Sequence, residues 1–102
     1  MTKVEQGELL QISGFKYPAI VVSNNFFNES GKAIVCPVVK ETLAGPLHIR
    51  IDGAHVSGFV MCEQLRYVDL QTRHFTRKDS VKGYDILNIS DAVMGMFDYQ
   101  ML

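Results

Sequence analysis

The strongest constraint on the fold is the period of the apolar residues, which changes only once along the chain. From Glu8 onward, apolar residues come in short, β-branched runs broken by turn residues, the pattern of strands rather than helices. Glu8–Ile12 is the first such run. Gly14 interrupts the chain, and Pro18–Ser23 (PAIVVS) follows. The next stretch, NNFFNESGK, is dense in Asn, Ser and Gly and reads as a loop. Ala33–Val39 forms another buried-looking strand, and its Pro37 suits an edge or a bulge better than a central position. Leu47–Asp52 alternates apolar and polar residues, as a half-exposed strand does, and Gly53 and Gly58 bracket a turn. Phe59–Glu63 and Arg66–Leu70 read as two further strands. Only Asp85–Phe97 has helical spacing, with Ile86, Ile89, Val93 and Phe97 on one stripe and Asp85 or Ser90 placed to cap the start. Gly95 weakens that helix by about 1 kcal/mol relative to Ala. Five or six short strands followed by one helix predict a mainly β (α+β) fold: a twisted antiparallel sheet or small barrel with a C-terminal helix packed at one side.

A chain of 102 residues has room for one core, so residues 1–102 are expected to form a single domain. A domain this small buries roughly 65% of its unfolded surface, which makes homodimerisation a natural way to add burial. No run reaches the roughly 18 apolar residues of a membrane span, and MTKVEQGELL has no apolar run long enough for a signal peptide. Cys36 and Cys62 lie in apolar runs without a CxxC spacing, so reduced core thiols in a cytoplasmic protein are expected, and no metal ligand set emerges with the three histidines.

The net charge of −1 does not suggest a nucleic-acid binder, but its distribution does. Residues 66–82 carry five basic and two acidic groups, whereas the last twenty carry three Asp and no Lys or Arg. The basic segment is either a solvated loop or a surface for phosphates.

Three segments, Gly7 to Asn28, Ile34 to Val38 and Gly58 to Arg73, resemble the MazF/PemK family of toxins. Gly7-Glu8, then Tyr17-Pro18-Ala-Ile-Val-Val-Ser23-Asn24 and Phe27-Asn28, is similar to the family's opening "GE(I/L)…RPVVVVSN…FN". Ile34-Val-Cys-Pro37-Val38 is similar to "(V/I)xxP(I/V)T", and Gly58 to Arg73 (GFVMCEQLRYVDLQTR) resembles "G(V/F)VxC(D/E)Q(I/V)RTVDxxxR". The resemblance implies a Kid/CcdB/MazF-type fold with an SH3-like barrel, assembled as a homodimer and inhibited by a cognate antitoxin protein. It also implies an endoribonuclease that cuts single-stranded mRNA without a cofactor. The substrate's 2′-hydroxyl attacks phosphorus, leaving 2′,3′-cyclic phosphate and 5′-hydroxyl ends. Tyr17 stands where the family has Arg, Val39 and Lys40 where it has hydroxyl residues, and Met61 where some members have Arg.

That chemistry needs a base, an acid and donors for charge developing on phosphate. By the resemblance, Glu63 is a general base or a contact to base edges; otherwise it is a surface carboxylate paired to Arg66. Lys16, Lys40 and His48 are candidates for proton transfer and charge neutralisation. His48 is favoured over His55 and His74 because it shares a strand face with Arg50. Tyr17, Thr42, Gln64, Arg66 and Arg73 are candidate substrate contacts. The two arginines are suited to phosphate, unless they pair structurally with Asp69 or Glu63. Tyr17, Phe26, Phe27 and Tyr67 are available to stack on bases. A ribonuclease should then show a basic, aromatic-lined groove holding Glu63 and Arg66. The alternative is a relative that acts by protein binding, as a CcdB-like gyrase poison does through its terminal helix. The segment MGMFDYQML suits such an interface.

Overall fold

In the computed structural model, which describes residues 3–98, seven strands and two helices follow in the order β1 Glu8–Ile12, β2 Ala19–Val21, α1 Asn25–Asn28, β3 Lys32–Val39, β4 His48–Asp52, β5 Ser57–Met61, β6 Arg66–Asp69, β7 Phe75–Ser80 and α2 Tyr84–Gly95. The strands make one antiparallel sheet in the order β4-β5-β3-β2-β1-β7, with β6 also paired to β3. The mainly β fold with a C-terminal helix is the one expected from the sequence, but there are seven strands rather than five or six. The extra one is β7, and it lies in the basic segment that reads equally well as a loop. Its sequence, FTRKDS, has almost no buried residue because it is an edge strand, paired only to β1.

The apolar runs are continuous because both faces of the sheet are buried. Leu10, Ile12, Ala19, Val21, Ala33, Val35, Val68 and Leu70 pack on one face; Leu9, Ile20, Cys36, Val38, Ile51, Val60 and Cys62 pack on the other, beneath Ile89 of α2. Each fully buried Leu or Ile contributes about 1.5–3 kcal/mol. Ile86 and Val93 of the expected helical stripe reach this second face, whereas Phe97 is 70% exposed and does not. Helix α2 begins at Gly83 (φ +62°), with no side-chain cap, so neither Asp85 nor Ser90 caps it. Asp85 instead lies in the first turn, where its charge complements the helix dipole.

The loop read at residues 24–32 contains the four-residue helix α1. Asn24 accepts from the Phe27 amide at 2.9 Å, and the buried Asn28 bonds both the Ser23 hydroxyl and the Ser23 carbonyl. The Ser23 hydroxyl in turn accepts from Ile34 N–H at 2.9 Å, tying α1 to β3.

Asp79 joins the two ends of the sheet. From the edge strand β7 its Oδ2 accepts the amides of His55 (2.6 Å) and Val56 (2.8 Å), in the turn between β4 and β5 at the opposite end of the strand order. A Cβ on Gly53 would strike this same carboxylate. The His55 amide, first among these donors, holds the Asp79 carboxyl below the usual carboxylate range. A depressed carboxylate adds stability above its unfolded pKa and loses it as pH falls through the folded one. Asp79→Asn is therefore expected to lower stability by about 1–2 kcal/mol at neutral pH, with the gap to wild type closing in acid. Urea unfolding at neutral pH and in mild acid measures both.

Candidate functional site

The connection between β1 and β2 is short, Ser13 to Pro18, and lies beside the start of β6. Together they bound an open groove of about 480 Å³, with Lys16 and Tyr17 on one wall, Gln64 and Arg66 on the other, and Val35 and Pro37 of β3 in the lining. The Arg66 guanidinium stacks on the Phe15 ring, 4.2 Å from its centroid, and Lys16 Nζ lies 5.3 Å from the Tyr17 centroid. Among the described residues, no carboxylate pairs with Arg66, so neither Asp69 nor Glu63 neutralises it. Asp69 instead accepts the Gln71 amide in the turn after β6. Arg73 also rests on Phe15, at 5.5 Å, and donates to the Ser13 carbonyl at 3.1 Å.

Tyr17 also borders a second cavity of about 450 Å³, lined with Lys40, His55 and Ser57. Asp79 fixes the backbone of His55 there, so this histidine, rather than the favoured His48, shares a hollow with Lys40 and Tyr17. Thr42 lies half-buried in the connection from β3 to β4 and lines neither hollow.

Glu63 lies outside the groove lining. It bonds His48 instead, Nε2 to Oε2 at 3.1 Å, and His48 Nδ1 donates to the Leu43 carbonyl at 2.6 Å. The Leu43 carbonyl, then Glu63, raises the His48 pKa; the His48 contact holds Glu63 below the usual carboxylate range. The pair thus joins the first residue of β4 to the turn after β5, and its Leu43 contact ties in the 40–47 connection.

Phe26 and Phe27 are away from the groove: Phe27 lines a separate hollow against Val93 and Met94 of α2, and Phe26 is 84% exposed on α1. Tyr67 sits next to Arg66 in β6, and strand alternation sends it to the opposite face. Cys36 and Cys62 are buried free thiols, pushed up to about 12 and about 11 chiefly by burial. Residues of the C-terminal apolar segment from Tyr99 to Leu102 lie outside the described residues. Phe15 was not legible as a site residue, although an aromatic beside a lysine in a turn is the kind of signal that marks a nucleic-acid groove. His55 gave no signal that separates it from a solvated turn.

The sequence profile of PemK-like, MazF-like toxins of type II toxin–antitoxin systems matches residues 9–97. The chain belongs to this family. It is the toxin component of a MazF/PemK-type system. No curated protein matches the chain significantly by sequence. Among solved structures, a MazE–MazF complex from Deinococcus radiodurans superposes with a TM-score of 0.83 at 20% identity, over 95% of this chain and 98% of that one. MazF alone from the same organism gives 0.81 at 18% identity, over 95% and 98%. An endoribonuclease in complex with its cognate antitoxin, from a mycobacterial species, gives 0.79 at 14%, over 92% and 94%. At these identities the structural likeness shows the MazF fold, with its curled antiparallel sheet and C-terminal helix.

The site makes one titration prediction independent of any activity. A raised histidine pKa means that the His48–Glu63 contact is fully present below the unfolded value and is lost as pH rises through the folded one. In an NMR titration, His48 should titrate above the ordinary histidine value, and in Glu63→Gln its midpoint should fall. An unchanged midpoint in the variant would remove the ion pair.

Proposed function

We propose that this MazF/PemK-family toxin is an endoribonuclease that cuts single-stranded RNA. The observation that carries this reading is the Lys16–Tyr17–Gln64–Arg66 groove, in which Arg66 is held on an aromatic ring with its donors unpaired by any carboxylate. A stacked guanidinium keeps its in-plane N–H groups free for phosphate oxygens. Lys40, in the neighbouring hollow, adds a second cation beside Tyr17, where a base can stack.

In the proposed reaction the substrate's 2′-hydroxyl oxygen bonds to the adjacent phosphorus and the bond from phosphorus to the 5′-oxygen breaks. Glu63 takes the 2′-hydroxyl proton on its oxygen not engaged by His48. Its lowered pKa keeps it ionised at neutral pH. His48, both ring nitrogens engaged, orients Glu63 rather than reaching substrate. Lys16 or Lys40 protonates the departing 5′-oxygen. Arg66, with Arg73 behind it, stabilises the charge on phosphate, while Tyr17 and Gln64 position the strand. The products are a 2′,3′-cyclic phosphate and a 5′-hydroxyl end.

The same proposal makes the chain a single functional domain that pairs with a second copy and with a cognate antitoxin, as the toxins in the solved complexes pair with theirs. Buried free thiols fit a reducing, cytoplasmic setting, and no helix is long and apolar enough to cross a membrane.

A second reading, action by protein binding, has its own observation. Glu63 is engaged by His48, and α2 exposes Tyr84, Leu87, Met94 and, just past its end, Phe97. Incubation with long single-stranded RNA in EDTA decides between the two. Cleavage leaving 5′-hydroxyl ends, reduced about 100-fold or more in Glu63→Gln and in Arg66→Ala, is the expected result. RNA left intact over a wide range of enzyme concentration would favour the protein-binding reading.

A further inference from the structure

The connection between β3 and β4 is fastened by a single hydrogen bond. Glu41 to Gly45 form no regular structure, and all but Thr42 are exposed. The Leu43 side chain is 85% exposed, and a Cβ on Gly45 would meet nothing. Among the described residues, the bond from His48 Nδ1 to the Leu43 carbonyl is the one hydrogen bond made by Glu41 to Ala44. A segment with so little packing and one bond opens far more readily than the sheet it joins.

That bond depends on a proton. His48 reaches two groups that only accept, the Leu43 carbonyl through Nδ1 and the Glu63 carboxylate through Nε2. An imidazole donates from both nitrogens only when it is doubly protonated. Its surroundings suit that form. Glu63 supplies the negative charge, and Arg50, two residues along the same face of β4, is itself paired with Asp52 at 2.9 Å. The uncharged Met61 stands opposite in β5, and α2 lies on the other face of β4, over Ile49 and Ile51. Cys62, next to Glu63, stays a neutral thiol, pushed up to about 11 chiefly by burial. On the connection itself, Lys40 and Glu41 bring charges of opposite sign. Loss of one proton from His48 leaves a single N–H for two acceptors. The carboxylate is the stronger acceptor, so Nε2–H stays on Glu63, and the bare Nδ1 then repels the Leu43 carbonyl.

We propose that His48 is a proton-gated latch on the 40–47 connection. Doubly protonated, it holds the connection against the turn that bears Glu63; on losing a proton it lets the connection swing away. Lys40, at the root of the connection, lines the hollow beside Tyr17, so opening changes the reach of that cation. The sign follows from the direction of the His48 shift, which the Leu43 carbonyl and then Glu63 drive upward. The latch is fully closed below the unfolded histidine value and opens as pH rises through the folded one. It needs no substrate and stands apart from the ribonuclease reading.

The sequence contains no tryptophan, so Leu43→Trp puts a single tryptophan on the exposed connection and keeps the carbonyl that His48 bonds. Its fluorescence anisotropy is followed from about pH 5 to about pH 9, alone and combined with His48→Gln or Glu63→Gln. With His48 in place, anisotropy should fall as pH rises, with the midpoint that NMR gives for the His48 ring. In His48→Gln it should be low and level with pH, because the amide does not titrate. In Glu63→Gln the fall should move to lower pH, a shift that misfolding does not produce. Anisotropy that stays level through the His48 midpoint would overturn the latch, and so would an equal fall in His48→Gln. Because no RNA enters the measurement, either result would leave the ribonuclease reading standing.

Discussion

The structure depends on β3, the strand that changes partner halfway along one of its edges. Its first half pairs with β6, ending at Val35 opposite Arg66, and its second half pairs with β5, beginning at Val38 opposite Val60. The other edge is held by β2 across the middle of the strand, from Val35 opposite Val21 to Pro37 opposite Ala19. Pro37 stands in the gap, where its missing N–H leaves no ladder bond unmade. The chain between Met61 and Arg66 must therefore leave the ladder and return within a few residues, and its turn is closed by Gln64 N–H on the Met61 carbonyl. Cys62 points into the core, Gln64 and Arg66 are left in the groove with Val35 and Pro37, and Glu63 is left at the surface on His48. The groove is a consequence of that change of partner.

The same geometry explains why Glu63 and Arg66 part company. His48 lies opposite Met61 in the β4–β5 ladder, so a carboxylate two residues past Met61 comes within reach of the imidazole. Arg66 begins the next strand and falls instead across the Phe15 ring. Two residues three apart in a motif thus act on different neighbours: one on a histidine that tethers the 40–47 connection, the other on a groove shared with Lys16 and Tyr17.

Much of this architecture can be read in the residues, and the exceptions share one cause. Strands β1 to β6 show themselves because burial forces apolar or alternating patterns on them. β7 carries no such pattern, since an edge strand over solvent needs only its backbone ladder, and FTRKDS reads as readily as a loop. α1 is hidden because Asn and Ser favour turns locally; here the same side chains cap a short helix and satisfy one another around Asn28. At the site, the family motif makes Gln64 and Arg66 legible and marks Lys16 and Tyr17 as candidates, while the fold brings the two pairs together. It cannot show which partner takes Glu63, or that Phe15 carries two guanidiniums, because both depend on strand register and on the path of a short connection.

A net charge of −1 is compatible with an anion-binding groove because the acids near the sheet are already engaged. Glu8 pairs with Arg77 at 2.9 Å and Asp52 with Arg50 at 2.9 Å. Asp79 closes the two ends of the sheet, Asp69 holds a turn, and Glu63 holds His48. Among the described residues, Lys16, Lys40, Arg66 and Arg73 have no carboxylate partner, and they line or border a run of connected hollows. The charges cancel in the sum and not in space: Glu8, Asp52, Glu63, Asp69 and Asp79 are taken up by structure, and four cations without a carboxylate partner border the groove. An Asp placed to neutralise Arg66 would leave the fold intact and remove the one local field that phosphate recognition requires.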